Sequence, residues 1–151
     1  MNYGQKITSF TRYATATRTG QARLPEIPYY AQAYVYDTSV VANITAFKNG
    51  LIVALYTGVD PSKIGLVAPF NDGDVDWGTP IGVILEANDL ETDDNVSVYL
   101  AGGWDTSAKP GFALSTLDGP LDLSLPGSVT ALARFHAKVI KGAVYWNNLY
   151  A

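Results

Sequence analysis

A chain of 151 residues with 48% apolar content is long enough to bury a real core and too apolar for wholesale disorder. Its charged content, 16% against a typical value of about 25%, is low for a protein that must cover itself, and ten tyrosines and three tryptophans suit surfaces that are wet in one state and covered in another. With no cysteine, disulfides, thiolate metal sites and cysteine nucleophiles are excluded, and a sequence pI near 4.7 argues against a nucleic-acid partner.

The charge is unevenly placed. The first 25 residues hold Lys6, Arg12, Arg18 and Arg23, five threonines and no acid, whereas the other 126 hold six cations and all fourteen acids. This leader has the Arg-rich, acid-poor bias of a transit peptide, but TRYATATRTG is rich in β-branched residues that disfavour the amphipathic helix such a peptide needs. It has no continuous apolar segment, and no run in the chain approaches the roughly 18 residues of a membrane span. Pro25 and Pro28 stiffen the backbone and remove two donors. They divide the chain into an extended basic arm (1–28) and a β-rich body (29–151).

Along the body, YYAQAYVY (29–36) and VVANITAF (40–47) are aromatic and β-branched and read as strands. Lys48-Asn49-Gly50 is a hairpin-type turn before the continuous apolar run LIVALYT (51–57). IGLVAPF (64–70), IGVILEA (81–87) and NVSVYLA (95–101) follow as strands, each bounded by Gly, Pro, Asn or Asp, and LDLSL (121–125) alternates cleanly. Residues 128–142 fit two periods. A helix would place Leu132, Phe135 and Val139 on one face, with Ser128 as cap and Gly142 as stop. A strand would place Val129, Ala131, Ala133, Phe135, Ala137 and Val139 on one face with every charge opposite, and is the reading adopted. The expected fold is a mostly β, compact antiparallel domain with long loops, preceded by the arm.

Catalytic signatures are missing. His136 is the single histidine, so any Ser-His triad would depend on it, and there is no GxSxG, P-loop, dinucleotide fingerprint or HExxH. Eight of the fourteen acids fall between Asp72 and Asp94, where no Lys or Arg occurs. Asp72, Asp74 and Asp76 have the alternate spacing of a calcium loop, yet Trp77 and Val83 stand where an EF-hand needs Gly and Glu. A solvated turn is the expectation, with no metal, cofactor or catalytic residue. A pair of carboxylates for glycoside hydrolysis is permitted by any chain this acidic and is not specific. The arm's cations with Tyr3, Phe10 and Tyr13 interleaved could track a phosphate backbone, but the acidic body opposes it and an acidic protein partner serves as well.

GTPIGVILEANDLETDDNVSVYLAGGW (78–104) resembles the central segment of the lambda-type head decoration proteins of tailed bacteriophages. The residues that carry the resemblance are Gly78, Pro80, Gly82, Val83 and Ile84, then Val96, Val98, Tyr99, Gly102 and Trp104. NGLIVALYTG upstream is similar to that family's Gly-x-Leu strand, and ARFHAKVIKG downstream to its C-terminal strand. The chain is longer than the shortest members, mainly in the arm and over 105–127. The resemblance implies a non-enzymatic virion protein, made in the host cytoplasm. It would assemble as a homotrimer on the capsid exterior near three-fold positions and cement major capsid protein subunits, with no nucleic acid or membrane as partner. The arm becomes the anchor. In it Ile7, Phe10 and Tyr13 would fill apolar pockets while Arg12, Arg18 and Arg23 pair with acids on the partner. Two rival expectations are a carbohydrate-binding or adhesion β-sandwich using Trp77, Trp104 or Trp146 as stacking platforms, and a calcium-stabilised module of a larger assembly.

Overall fold

Residues with branched or aromatic side chains pack well on a pleated surface, and the runs that carry them here become strands. A computed structural model describes residues 27–37, 39, 50–85, 95–106 and 113–149. The strands are β1 (Tyr30–Tyr36), β2 (Leu51–Leu55), β3 (Leu66–Pro69), β4 (Pro80–Ile84), β5 (Asn95–Asp105), β6 (Ser115–Thr116), β7 (Gly119–Pro120), β8 (Ala137–Ile140) and β9 (Ala143–Asn147). Among the described residues an α-helix, α1, spans Pro126–Arg134. Residues 1–26 of the expected arm, the expected strand over 40–47 and the first two residues of its turn lie outside the described residues.

β1 pairs with β3, β3 with β2, β2 with β4, β4 with β5, and β5 again with β1, so five strands close into a small barrel. Closure leaves those five without a free edge. The fold is mostly β, as expected. β1–β3 and the short β2–β6 contact are parallel, and all other pairings are antiparallel. Ile52, Val67, Val83 and Val98 on these strands are buried in one core cluster with Phe70 and Tyr99.

β5 is the spine. Its first half takes β1 along one edge and, at Val98 and Tyr99, β4 along the other. At Ala101, paired with both Tyr30 and Asn147, the second edge has passed to β9. The hand-over is closed by hydrogen bonds: Trp146 Nε1 donates to the Tyr99 carbonyl (2.9 Å), Asn148 N to Leu100 O (2.8 Å) and Asn148 Nδ2 to Ile81 O (3.0 Å). Buried backbone acceptors are thereby satisfied where one strand replaces another.

Two glycines set the spacing around β5. A Cβ on Gly82 would lie 2.5 Å from the Tyr99 carbonyl oxygen, and one on Gly102 2.7 Å from the Tyr29 ring. The Tyr29 ring meets Tyr99 edge-on at 5.9 Å, and its hydroxyl donates to Gly103 O at 2.6 Å. Beyond the barrel, α1 and the β8–β9 hairpin pack a second layer in which Phe135 stacks on Trp146 with ring centroids 5.6 Å apart. The hairpin turn is Lys141-Gly142, both with positive φ (51° and 80°), which is the geometry that matches the twist of the flanking strands.

Three expectations are corrected. The strand expected over 128–142 is two elements: helix up to Arg134 and strand from Ala137. Pro126 at the first helical position starts the helix, Ala131, Leu132 and Phe135 bury one face, and the chain reverses at His136, whose φ is 56°. Neither end follows the helical alternative either, because the cap position is Leu125, Ser128 is buried inside the first turn, and Gly142 belongs to the hairpin. LDLSL is not a strand. The Asp122 carboxylate accepts from Ser124 N (3.0 Å) and Ser124 Oγ (2.7 Å), folding that stretch into a turn while Leu121 and Leu123 still pack against the core. The strand expected to end at 101 continues to Asp105, and β9 was not foreseen although Val144 and Trp146 alternate as buried residues.

Gly82→Ala should destabilise the fold by about 1–3 kcal/mol, because the added methyl meets backbone that has nowhere to move. Gly127→Ala, in the helix with open space around it, should stabilise by about 0.4–1 kcal/mol. Thermal melting of the two variants beside the parent checks both signs.

Candidate functional surface

The acids come first, since a catalytic or metal-binding protein would converge them. Four of the eight described ones close turns instead. Asp37, Asp60 and Asp122 each sit two residues before a serine and accept from both its N–H and its Oγ, the hydroxyl contacts being 2.6, 2.8 and 2.7 Å. This Asp-x-Ser device is an Asx turn reinforced by a hydroxyl. It forms three times among the described residues, and its Asp-x-Ser spacing is a local signal visible in the sequence.

Asp72, Asp74 and Asp76 lie in the loop between β3 and β4, as expected for turn residues. Asp74 Oδ1 accepts from Asp76 N (2.7 Å) and Trp77 N (3.0 Å), and its Oδ2 from Asn71 Nδ2 (3.1 Å). Asp72 Oδ1 is 2.6 Å from Arg134 Nε, tying this loop to the end of α1. Among the described residues no three His, Cys, Asp or Glu side chains are grouped to hold a metal ion. His136 is exposed at the helix end.

Five of the ten exposed large apolar residues among those described fall on a loop tip and an edge strand. Val59 (99% exposed), Ile64 (72%) and Val75 (83%) stand in water on the β2–β3 and β3–β4 loops. Those loops are stitched together at one end of the barrel: Thr57 Oγ1 donates to Val75 O (2.7 Å), Thr57 N to Asp76 O (2.9 Å), and Tyr56 packs on Trp77 at 5.1 Å. Lys63 Nζ, 3.3 Å from Asp37 Oδ2, fixes the same loop to the end of β1. The tip is thus a held surface, carrying Asp60, Asp74 and Asp76 beside its three apolar side chains. Val139 and Ile140, consecutive on β8 and so on its opposite faces, are exposed as well. A groove of about 360 Å³ between β1, β5 and β9 is lined by Ile27, Tyr29, Tyr30, Tyr145, Trp146 and Leu149.

The expected partner-binding residues Ile7, Phe10, Arg12, Tyr13, Arg18 and Arg23 lie outside the described residues. What is described is where their segment joins the body: Ile27 and Pro28 line the apolar groove. The three indoles named for sugar stacking are corrected. Trp77, Trp104 and Trp146 are 6%, 1% and 4% exposed, so none offers a ring face to solvent. No protein-family model matches the chain, and no curated protein is similar to it at a significant level.

Burial raises the Asp37 carboxyl, but hydrogen bonds from Ser39 and the contact with Lys63 outweigh it and hold the group below the usual carboxylate range. A depressed folded-state value contributes stability above the unfolded value of about 3.9 and loses it as pH falls through the folded value. The melting temperature of Asp37→Asn should therefore lie furthest below the parent at neutral pH, and the gap should shrink below about pH 4. A gap independent of pH would assign the loss to geometry alone.

Proposed function

We propose that this protein is a non-enzymatic structural component of a tailed-phage virion, binding the outer capsid surface as a trimer at three-fold positions. There it cements neighbouring major capsid protein subunits, with the N-terminal segment as anchor. The observation that carries the reading is the grouping of large apolar side chains in water on a body whose own core is full. Single exposed apolar residues are ordinary, but grouped ones on loops held by hydrogen bonds mark surfaces that a partner covers. The commitment of Asp37, Asp60, Asp74 and Asp122 to turn closure fits a scaffold better than a reaction centre. The resemblance over 78–104 supports it further: among the residues that carry it, Val83 and Ile84 pair with Tyr99 and Val98, and Gly82 lies against Tyr99. The basic segment before Ile27 and the acidic body suit a long contact with a protein surface. Ordering such a segment costs about 1–2 kcal/mol per residue, so its contacts must be extensive.

The test is co-sedimentation with empty expanded capsids lacking their decoration. The full chain should pellet with the shells at three copies per site. Deleting residues 1–25 should leave the melting of the body nearly unchanged and weaken capsid binding by several orders of magnitude. A full chain that stays in the supernatant would overturn the function, and a truncated chain that binds as tightly as the full one would overturn the anchor.

A further inference from the structure

A trimer built from one kind of chain by rotation needs two different surfaces that fit each other, since each copy gives one face to its neighbour and takes the other. The described residues offer such a pair. The loop tip carries Val59, Ile64 and Val75 with Asp60, Asp74 and Asp76. Its one lysine, Lys63, is already paired with Asp37.

The opposite character gathers on β8. From Leu123 to Ala151 the chain holds Arg134, Lys138 and Lys141 and no acid. Arg134 is engaged by Asp72, but among the described residues Lys138 and Lys141 have no ion pair. Val139 and Ile140, between those lysines, are 43% and 54% exposed. β8 also ends the sheet: β9 covers one edge, and among the described residues nothing pairs with the other. An edge strand is often guarded by lysine against unwanted pairing. A guard needs no apolar side chains in water beside it, and here two stand between the lysines.

We infer that copies of this chain associate head to tail, the basic edge of β8 in one copy covering the acidic, apolar loop tip of the next. Apolar contact between Ile140, which shares a face of β8 with Lys138, and Val59/Ile64/Val75 supplies the area, with Val139 at the strand's other face. Lys138 and Lys141 facing Asp60, Asp74 and Asp76 fix orientation and exclude the tip-to-tip and edge-to-edge alternatives, where like charges meet. The same attraction acts within one chain, where Arg134 at the approach to β8 reaches Asp72 beside the tip. The inference rests on the trimer reading and names its surfaces.

A charge swap tests it on the full chain, with mass read by light scattering and folding by circular dichroism. The parent should reach three times 16.2 kDa. Lys138→Glu/Lys141→Glu should fall to monomer at concentrations where the parent is fully trimeric, and Asp60→Lys/Asp76→Lys, which reverses the charge of the tip, should do the same. All four changes in one chain should restore the trimer, with weakened association at high salt in the parent and the quadruple variant alike. Lys138→Gln/Lys141→Gln stands in should the glutamates disturb folding, with a loss of mass expected there too. If the parent is trimeric and the lysine variants stay trimeric, this contact is wrong and the trimer stands. If both pairs of changes break the trimer and the quadruple variant stays monomeric, the two surfaces do not face each other. A parent that remains a monomer in solution and on the capsid removes the contact and the trimer together.

Discussion

The fold depends on how closely other chain segments approach β5. Two positions without a Cβ, Gly82 on β4 and Gly102 within β5 itself, permit backbone-to-backbone contact at Tyr99 and ring-to-backbone contact with Tyr29. The barrel ring closes through the first. The second lets Tyr29 lie flat against the spine, where its hydroxyl satisfies Gly103 O and its ring meets Tyr99. Because β9 takes the edge that β4 gives up, the barrel and the outer layer share one strand, and a shift in β5 would be felt by both.

The strands of the barrel were legible because their signals are local. Runs such as LIVALYT and NVSVYLA are apolar or alternating and bounded by turn residues; the first contains all of β2, and the second begins β5, which runs on past it. Closure was not legible, since nothing local says that β1 will pair in parallel with β3. The region from 121 to 142 misled for a related reason. Alternation of apolar residues is a statement about faces, and a turn held by Asp122 or a helix that buries only Ala131, Leu132 and Phe135 meets the same demand. Pro126 was the local signal that could have decided it.

The surface was less legible than the core. Apolar residues in loops such as Val59 and Val75 look like ordinary strand neighbours until the fold shows both in water on loops joined through Thr57. Conversely, aromatic residues that suggested an exposed platform are inside, because Trp77, Trp104 and Trp146 are large enough to fill the space between barrel, loop and helix. Asp72, Asp74 and Asp76 were expected in a solvated turn and lie in one. What the spacing did not show is the work of single carboxylates: Asp74 closes that turn and Asp72 holds Arg134, which is how long loops stay ordered with little core beneath them.

The placement of β1 has a mechanical consequence. The chain runs from Ile27 directly into this strand, which is held on one side by β5 over six registered pairs and on the other by β3. A pull delivered through the residues before Ile27 therefore acts along the strand axis. Hydrogen bonds perpendicular to that axis are then loaded together, in shear, and must yield as a group, whereas a strand peeled from a free edge loses them one at a time. The barrel resists tension best when it is applied along the axis of its first strand.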